Sequence, residues 1–210
     1  HGLLSLSFSL SAVRDFPVPE DADLFARIPA GSFTMGDSSE DGLLDAPTHT
    51  VHVSGFYMGK HEVRWRLWQE VRSWAASNGY DIGSVGSGTV DEHPVHSVSW
   101  YDVVKWCNAA SERAGLEPVY YLSEGGAVYR SGESVPYIDY SQQGYRLPST
   151  EEWEYAARGG LIGKLYPWGD VINHTYANYR DASYHPDYQE GGVPYTSPVG
   201  SFDANGYDLY

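Results

Sequence analysis

A chain of 210 residues, 41% hydrophobic and 15% aromatic with seven Trp and eighteen Tyr, has enough apolar matter to build one domain, which excludes a disordered chain and does not require two domains. Thirteen Lys and Arg against 28 Asp and Glu leave a net charge of −15, which repels a phosphate backbone and excludes nucleic acid as a partner; the acids are scattered, as on a solvated surface that leaves cation binding open. No run approaches the ~18 apolar residues that span a bilayer, so no membrane crossing is expected, and the single cysteine, Cys107, excludes a disulfide framework or a multi-cysteine zinc site within the chain.

Residues 1–23 lack a clear period and contain Pro17, Pro19 and several acids, so they read as an extended lead-in or linker to a domain spanning 24–210. Inside the lead-in, Leu3 to Ala12 alternates Leu and Phe with Ser, the pattern of a strand with one apolar face or of the end of a signal peptide; strand or linker is the preferred reading. Arg27 to Met35 and Thr48 to Met58 alternate apolar and polar residues and predict two strands, with Val51, Val53, Phe56 and Tyr57 as core candidates and an acidic loop, Asp37 to Asp45, between them. Leu67, Trp68, Val71, Trp74 and Ala75 recur at helical spacing, predicting a helix over about 64–77 that Asn78-Gly79 ends. Arg64 stands where its cap belongs, and arginine offers no oxygen to the first-turn amides. The Gly- and Ser-rich stretch from Ile82 to Thr89 follows as a loop.

Ser99 with Asp102 three residues on is a capping-box start, and Val103, Val104, Cys107 and Ala110 are the buried stripe of a second helix ending at Gly115. On that stripe Cys107 is an inert small hydrophobe rather than a nucleophile. Val119 to Leu122 and Ala127 to Arg130 flank Glu124-Gly125-Gly126 and predict a β-hairpin. Ser149 and Glu152 mark the start of a third helix, and Gly159-Gly160 its stop. Beyond Leu161 no regular element is predicted, and a loop region of that length needs ions or packed aromatic rings to hold it. His49 with His52, and His93 with His96, are spaced by three on predicted strands, which points each pair to opposite faces and argues against shared metal ligation. Asn173-His174-Thr175 fits the glycosylation acceptor pattern and by spacing alone is a chance occurrence. Trp100, Trp153 and Trp168 read as fold determinants.

The strings IPAGSFTMG (Ile28 to Gly36), FYMGKHEV (Phe56 to Val63), HPVHSVSWYDVVKWCN (His93 to Asn108), YRLPSTEEWEYAARGG (Tyr145 to Gly160), YPWGD (Tyr166 to Asp170), Ala177-Asn178 and TSPVGSFDANGYDLY (Thr196 to Tyr210) together resemble the formylglycine-generating enzyme, or sulfatase-modifying factor, family. The resemblance implies an irregular α+β fold of the C-type-lectin-like kind, low in regular structure and rich in aromatic-pinned loops. It also implies an oxidoreductase that turns a cysteine of a sulfatase-type target into formylglycine; the superfamily also holds non-catalytic modules that bind protein or carbohydrate ligands. A secreted or periplasmic location goes with this reading.

In the enzymes of that family the pattern continues, past a string like the one ending at Tyr210, into a segment with two cysteines that bind copper(I). The chain is therefore expected to be C-terminally incomplete, with no catalytic residue of its own, and copper is expected only if a further segment carries the pair. The resemblance further implies that Cys107 often has a disulfide partner in that C-terminal region. It also implies a structural calcium site, for which Asn178 and the Tyr179 carbonyl match the family's ligands, while Gly191, beside Glu190, stands where an Asp belongs; Asp181, Asp187 or Glu190 are the substitutes at hand.

Overall fold

A computed structural model describes residues 11–12, 22–36, 47–180, 183–189 and 195–210. The strands are β1 (Ser11–Ala12), β2 (Phe25–Ile28), β3 (Gly31–Met35), β4 (His49–Val53), β5 (Phe56–Gly59), β6 (Tyr120–Tyr121), β7 (Tyr137–Ile138) and β8 (Tyr145–Arg146); the helices are α1 (Trp65–Ser77), α2 (Trp100–Arg113) and α3 (Thr150–Ala157). The architecture is α+β, with three α-helices and a single 3-10 turn, Ala22–Leu24, among the described residues, and small sheets joined by long irregular segments.

Each of the two long strands expected near the start is two strands, because one antiparallel ribbon bends in the middle. Ile28 pairs with Phe56 and Gly31 with Val53, so the register is constant across the bend. Pro29, which has no N–H to donate, sits at the bend on one side and Gly55 on the other. A Cβ on Gly55 would lie 3.3 Å from the Ala30 nitrogen, tighter than ordinary contact, so the crossing favours glycine there. One half of the ribbon, β3–β4, stands as a two-stranded sheet; the other half joins a four-stranded sheet in the order β2-β5-β1-β8. Within the stretch read as lead-in, Ser11–Ala12 is thus an inner strand, antiparallel to both β5 and β8. The rest of Leu3 to Ala12 and the Asp37 to Asp45 loop lie outside the described residues.

All three expected helices form. The boxes at Ser99 and Ser149 are reciprocal: the Asp102 amide donates to Ser99 Oγ at 3.2 Å while Ser99 N–H donates to Asp102 Oδ2 at 2.9 Å, and Glu152 and Ser149 do the same at 3.2 and 2.8 Å. Arg64 makes no side-chain cap. Its place is taken by the backbone of a distant loop, because Trp65 N–H donates to the His93 carbonyl at 2.8 Å and Arg66 N–H to the Asp91 carbonyl at 3.2 Å.

Two cores result. The larger packs α1 on α2 with Trp68 and Trp106 stacked 5.4 Å apart, their planes parallel. Cys107 lies in it, fully buried, as its place on the stripe predicts. The smaller gathers Ala26, Ile28, Val53, Phe56 and Met58 under Tyr155 and Ala156 of α3. Trp100 and Trp153 are exposed at 39% and 48%, so the tryptophans that fill the core are Trp68 and Trp106 instead: the first-turn positions of α2 and α3 face outward.

The Glu124-Gly125-Gly126 hairpin is only part of what forms there. Leu122 N–H donates to the Ala127 carbonyl and Tyr129 N–H to the Tyr120 carbonyl, but the ladder partner of β6 is β7, with Tyr120 opposite Ile138. Two side chains of α2 bind these segments: Glu112, which pairs with Arg130, and, in the core, Asn108. Asn108 is fully buried, donates from Nδ2 to the carbonyls of Tyr120 (2.7 Å) and Tyr129 (3.1 Å), and accepts through Oδ1 from the amides of Val119 (3.2 Å) and Tyr120 (3.1 Å).

Candidate functional site

From Leu161 to Tyr210 the described residues form no helix or strand, as the composition predicts, and aromatic rings hold the segment. Tyr166, Trp168 and Tyr176 stack in series, 5.9 and 5.3 Å apart, with Trp168 Nε1 donating to the Val171 carbonyl at 2.8 Å. A second group is built around His185, whose ring meets those of His174 (4.9 Å), Tyr188 (4.6 Å) and Phe202 (5.9 Å). His185 Nδ1 accepts from the Asp187 amide at 3.2 Å, so the proton is on Nε2, which donates to the His174 carbonyl at 2.8 Å; both ring nitrogens of this buried histidine therefore fasten loop backbone.

Asn178 and Tyr179, the expected calcium ligands, sit beside this group. Asn178 Nδ2 donates to the Tyr195 carbonyl at 3.0 Å, which fixes the amide's orientation, since only a donor satisfies a carbonyl, and leaves Oδ1 as the arm a cation would take. The Tyr179 ring packs on His174 at 4.8 Å. Hard oxygens of this kind suit calcium, but among the described residues no three His, Cys, Asp or Glu side chains are grouped to hold a metal. Asp181, Glu190 and Gly191 lie outside those residues. The histidine pairs are separately engaged: His52 with Ser32 Oγ (3.2 Å), His49 with the Pro47 carbonyl (3.0 Å), His93 with Thr196 Oγ1 (2.7 Å) and His96 with Ser97 Oγ (2.9 Å).

Copper has no fit in these residues. The only thiol is fully buried in α2, and burial pushes its pKa well above the usual thiol range, so it stays protonated and has no second thiol beside it.

The end of the segment is fastened by residues the composition did not single out. Asn205 Nδ2 donates to the last-turn carbonyls of α3, Ala156 at 2.9 Å and Ala157 at 3.2 Å, while its Oδ1 accepts from the Tyr207 amide at 2.8 Å. Tyr210 N–H donates to the Lys60 carbonyl at 2.9 Å, and its ring lies 4.5 Å from that of His61. There burial, with Arg64 and Lys60 nearby, holds His61 below the usual imidazole range, and burial raises the neighbouring Glu62 carboxyl. The signal was present in the Asn-Gly-Tyr string, but nothing local shows which helix that asparagine caps. A separate surface cleft of about 270 Å³ opens between β3–β4 and α3, lined by Phe33, Tyr155 and Tyr207; its Arg158 is already committed to Glu154 and the Gly36 carbonyl.

Comparison with known proteins agrees with this architecture. Residues 13–210 match the family model of the sulfatase-modifying factor enzyme 1-like domain. The formylglycine-generating enzyme of Mus musculus is 32% identical over 217 residues, covering 92% of this chain and 56% of the mouse protein, so the chain spans little more than half of that relative. The inactive C-alpha-formylglycine-generating enzyme 2 of Bos taurus is 30% identical over 207 residues, covering 88% of this chain and 65% of the bovine one. Among solved structures, CarF superposes with a TM-score of 0.68 at 29% identity, covering 89% of this chain and 75% of its own.

Proposed function

Since the chain belongs to the sulfatase-modifying factor enzyme 1-like family, we propose that it supplies the scaffold of a formylglycine-generating type of domain, presenting a cysteine-containing, sulfatase-type peptide segment for oxidation. The observation that carries the proposal's limit is Cys107: one fully buried thiol does not make the thiolate pair that a copper centre needs. The 210 residues alone are therefore expected to bind the peptide without oxidising it. The test incubates the chain with a sulfatase-type cysteine peptide, copper and dioxygen, and reads mass loss at the cysteine and peptide binding by fluorescence anisotropy. Selective binding over a scrambled peptide with no mass loss agrees; turnover overturns the assignment.

A second reading, a non-catalytic binding module, is favoured by the half-exposed Tyr166–Trp168–Tyr176 stack, since rings on a pinned loop offer contact area at small entropic cost, and a relative bears the name inactive. Equal binding of the native and scrambled peptides, or of neither, would favour it. On either reading Asn178 Oδ1 and the Tyr179 carbonyl are proposed to hold calcium weakly, as few charged ligands stand with them. Calorimetry and thermal unfolding in calcium against a chelator should show a modest stabilisation that Asn178→Ala abolishes. A tight site that survives Asn178→Ala would mean other ligands, and no shift in either protein would leave the packed rings as the loop's whole support.

A further inference from the structure

Asn173, His174 and Thr175 have the spacing that oligosaccharyl transferases read, and the structure adds where they sit. The tripeptide lies on a surface turn outside every helix and strand, with Asn173 and Thr175 exposed. Tyr176 N–H donates to the Asn173 carbonyl at 3.0 Å, and Thr175 N–H donates to Asn173 Oδ1 at 2.9 Å. The side-chain oxygen is thus held along the turn, which puts Nδ2 on the opposite arm of the planar amide. The middle residue faces the other way: the His174 ring packs between Tyr179 and His185 and anchors the turn to the loop's aromatic group. On either side of the turn lie Val171, 66% exposed, and Tyr176, 40% exposed, apolar surface that the C–H faces of a sugar can cover.

We infer that Asn173 accepts an N-linked glycan when the chain enters a secretory pathway equipped with oligosaccharyl transferase, and that the folded domain carries the glycan without rearrangement. In the transfer, Asn173 Nδ2 forms a bond to the anomeric carbon of a lipid-diphosphate-linked oligosaccharide. The bond from that carbon to the diphosphate oxygen breaks, the lipid diphosphate departs with the electron pair, and one amide proton passes to a base of the transferase. The acceptor residues Asn173 and Thr175 serve neither the catalytic nor the binding reading, although Tyr176 beside them belongs to the exposed ring stack.

The test gives the full chain a cleavable endoplasmic-reticulum signal and a C-terminal tag with one acceptor tripeptide of its own, and expresses it in mammalian cells. Because the tag reports entry into the pathway, the native chain should show two endoglycosidase-sensitive mass increments, while Asn173→Gln and Thr175→Ala each show one. A single increment in the native chain, from the tag alone, overturns the inference. Thermal unfolding of the secreted protein before and after enzymatic removal of the glycan reads the second half: an unchanged or higher midpoint with the glycan agrees, and a lower one shows that the glycan strains the turn.

Discussion

Asn108→Leu should destabilise the chain by about 3–5 kcal/mol, because the replacement keeps the volume and removes every polar atom from a side chain with no exposed surface. The Tyr120 carbonyl keeps a donor in the Tyr129 amide. The Val119 amide, the Tyr120 amide and the Tyr129 carbonyl lose the bonds that Asn108 gives them, inside the core where no water replaces them. Urea unfolding followed by tryptophan fluorescence measures the loss, the Trp68–Trp106 stack being the reporter. A loss below about 1 kcal/mol would mean that the β6 segments are held by their side chains and not by this amide.

Glu152→Ala is the other large effect, expected at about 3–5 kcal/mol, since it removes one partner of a buried ion pair. Arg146, only 4% exposed, donates from Nη1 to Glu152 Oε2 at 2.7 Å and from Nη2 to Oε1 at 2.6 Å, and the same carboxylate accepts the Ser149 amide at the start of α3. The variant therefore loses a helix cap and takes the Glu152 carboxylate from the guanidinium. Ser149→Ala, which touches only the cap, should cost about 1 kcal/mol. A double variant, Arg146→Met with Glu152→Ala, should be more stable than Glu152→Ala alone, since it takes the buried positive charge away together with the carboxylate that balances it. If the double variant is the less stable, the guanidinium's own packing outweighs the charge.

The features legible in the sequence are those set by neighbours a few residues apart. Ser99 with Asp102, Ser149 with Glu152, and the stripe that buries Cys107 all rest on spacings of three or four within one helix, and each forms as read. The partners of Arg64 and Asn205 were not legible. One helix start borrows carbonyls from His93 and Asp91, and one helix end borrows an amide from Asn205, nearly 50 residues away; no local pattern encodes such a pairing. The hairpin at Glu124 shows the same limit, because turn residues specify that the chain reverses but not that β7, from beyond the turn, joins β6 as a ladder partner as well. At the candidate site the rings were legible as composition, while their grouping around His185 and the bond from Asn178 to Tyr195 depend on the tertiary path.

The position of β1 sets an order in time. Its neighbours, Tyr57 and Met58 on one side and Tyr145 and Arg146 on the other, come later in the chain, so the slot it fills is finished only after synthesis has passed Arg146. Local contacts close first: the ribbon from β2 to β5 needs only its own turn, and α1 finds α2 across one loop. Until Ser11–Ala12 arrives, β5 and β8 each present an edge of unpaired backbone to the solution, and any other extended segment can compete for it. A strand made before its partners β5 and β8 is therefore placed after them, and the speed of that step decides how long a nascent chain stays open to the wrong neighbour.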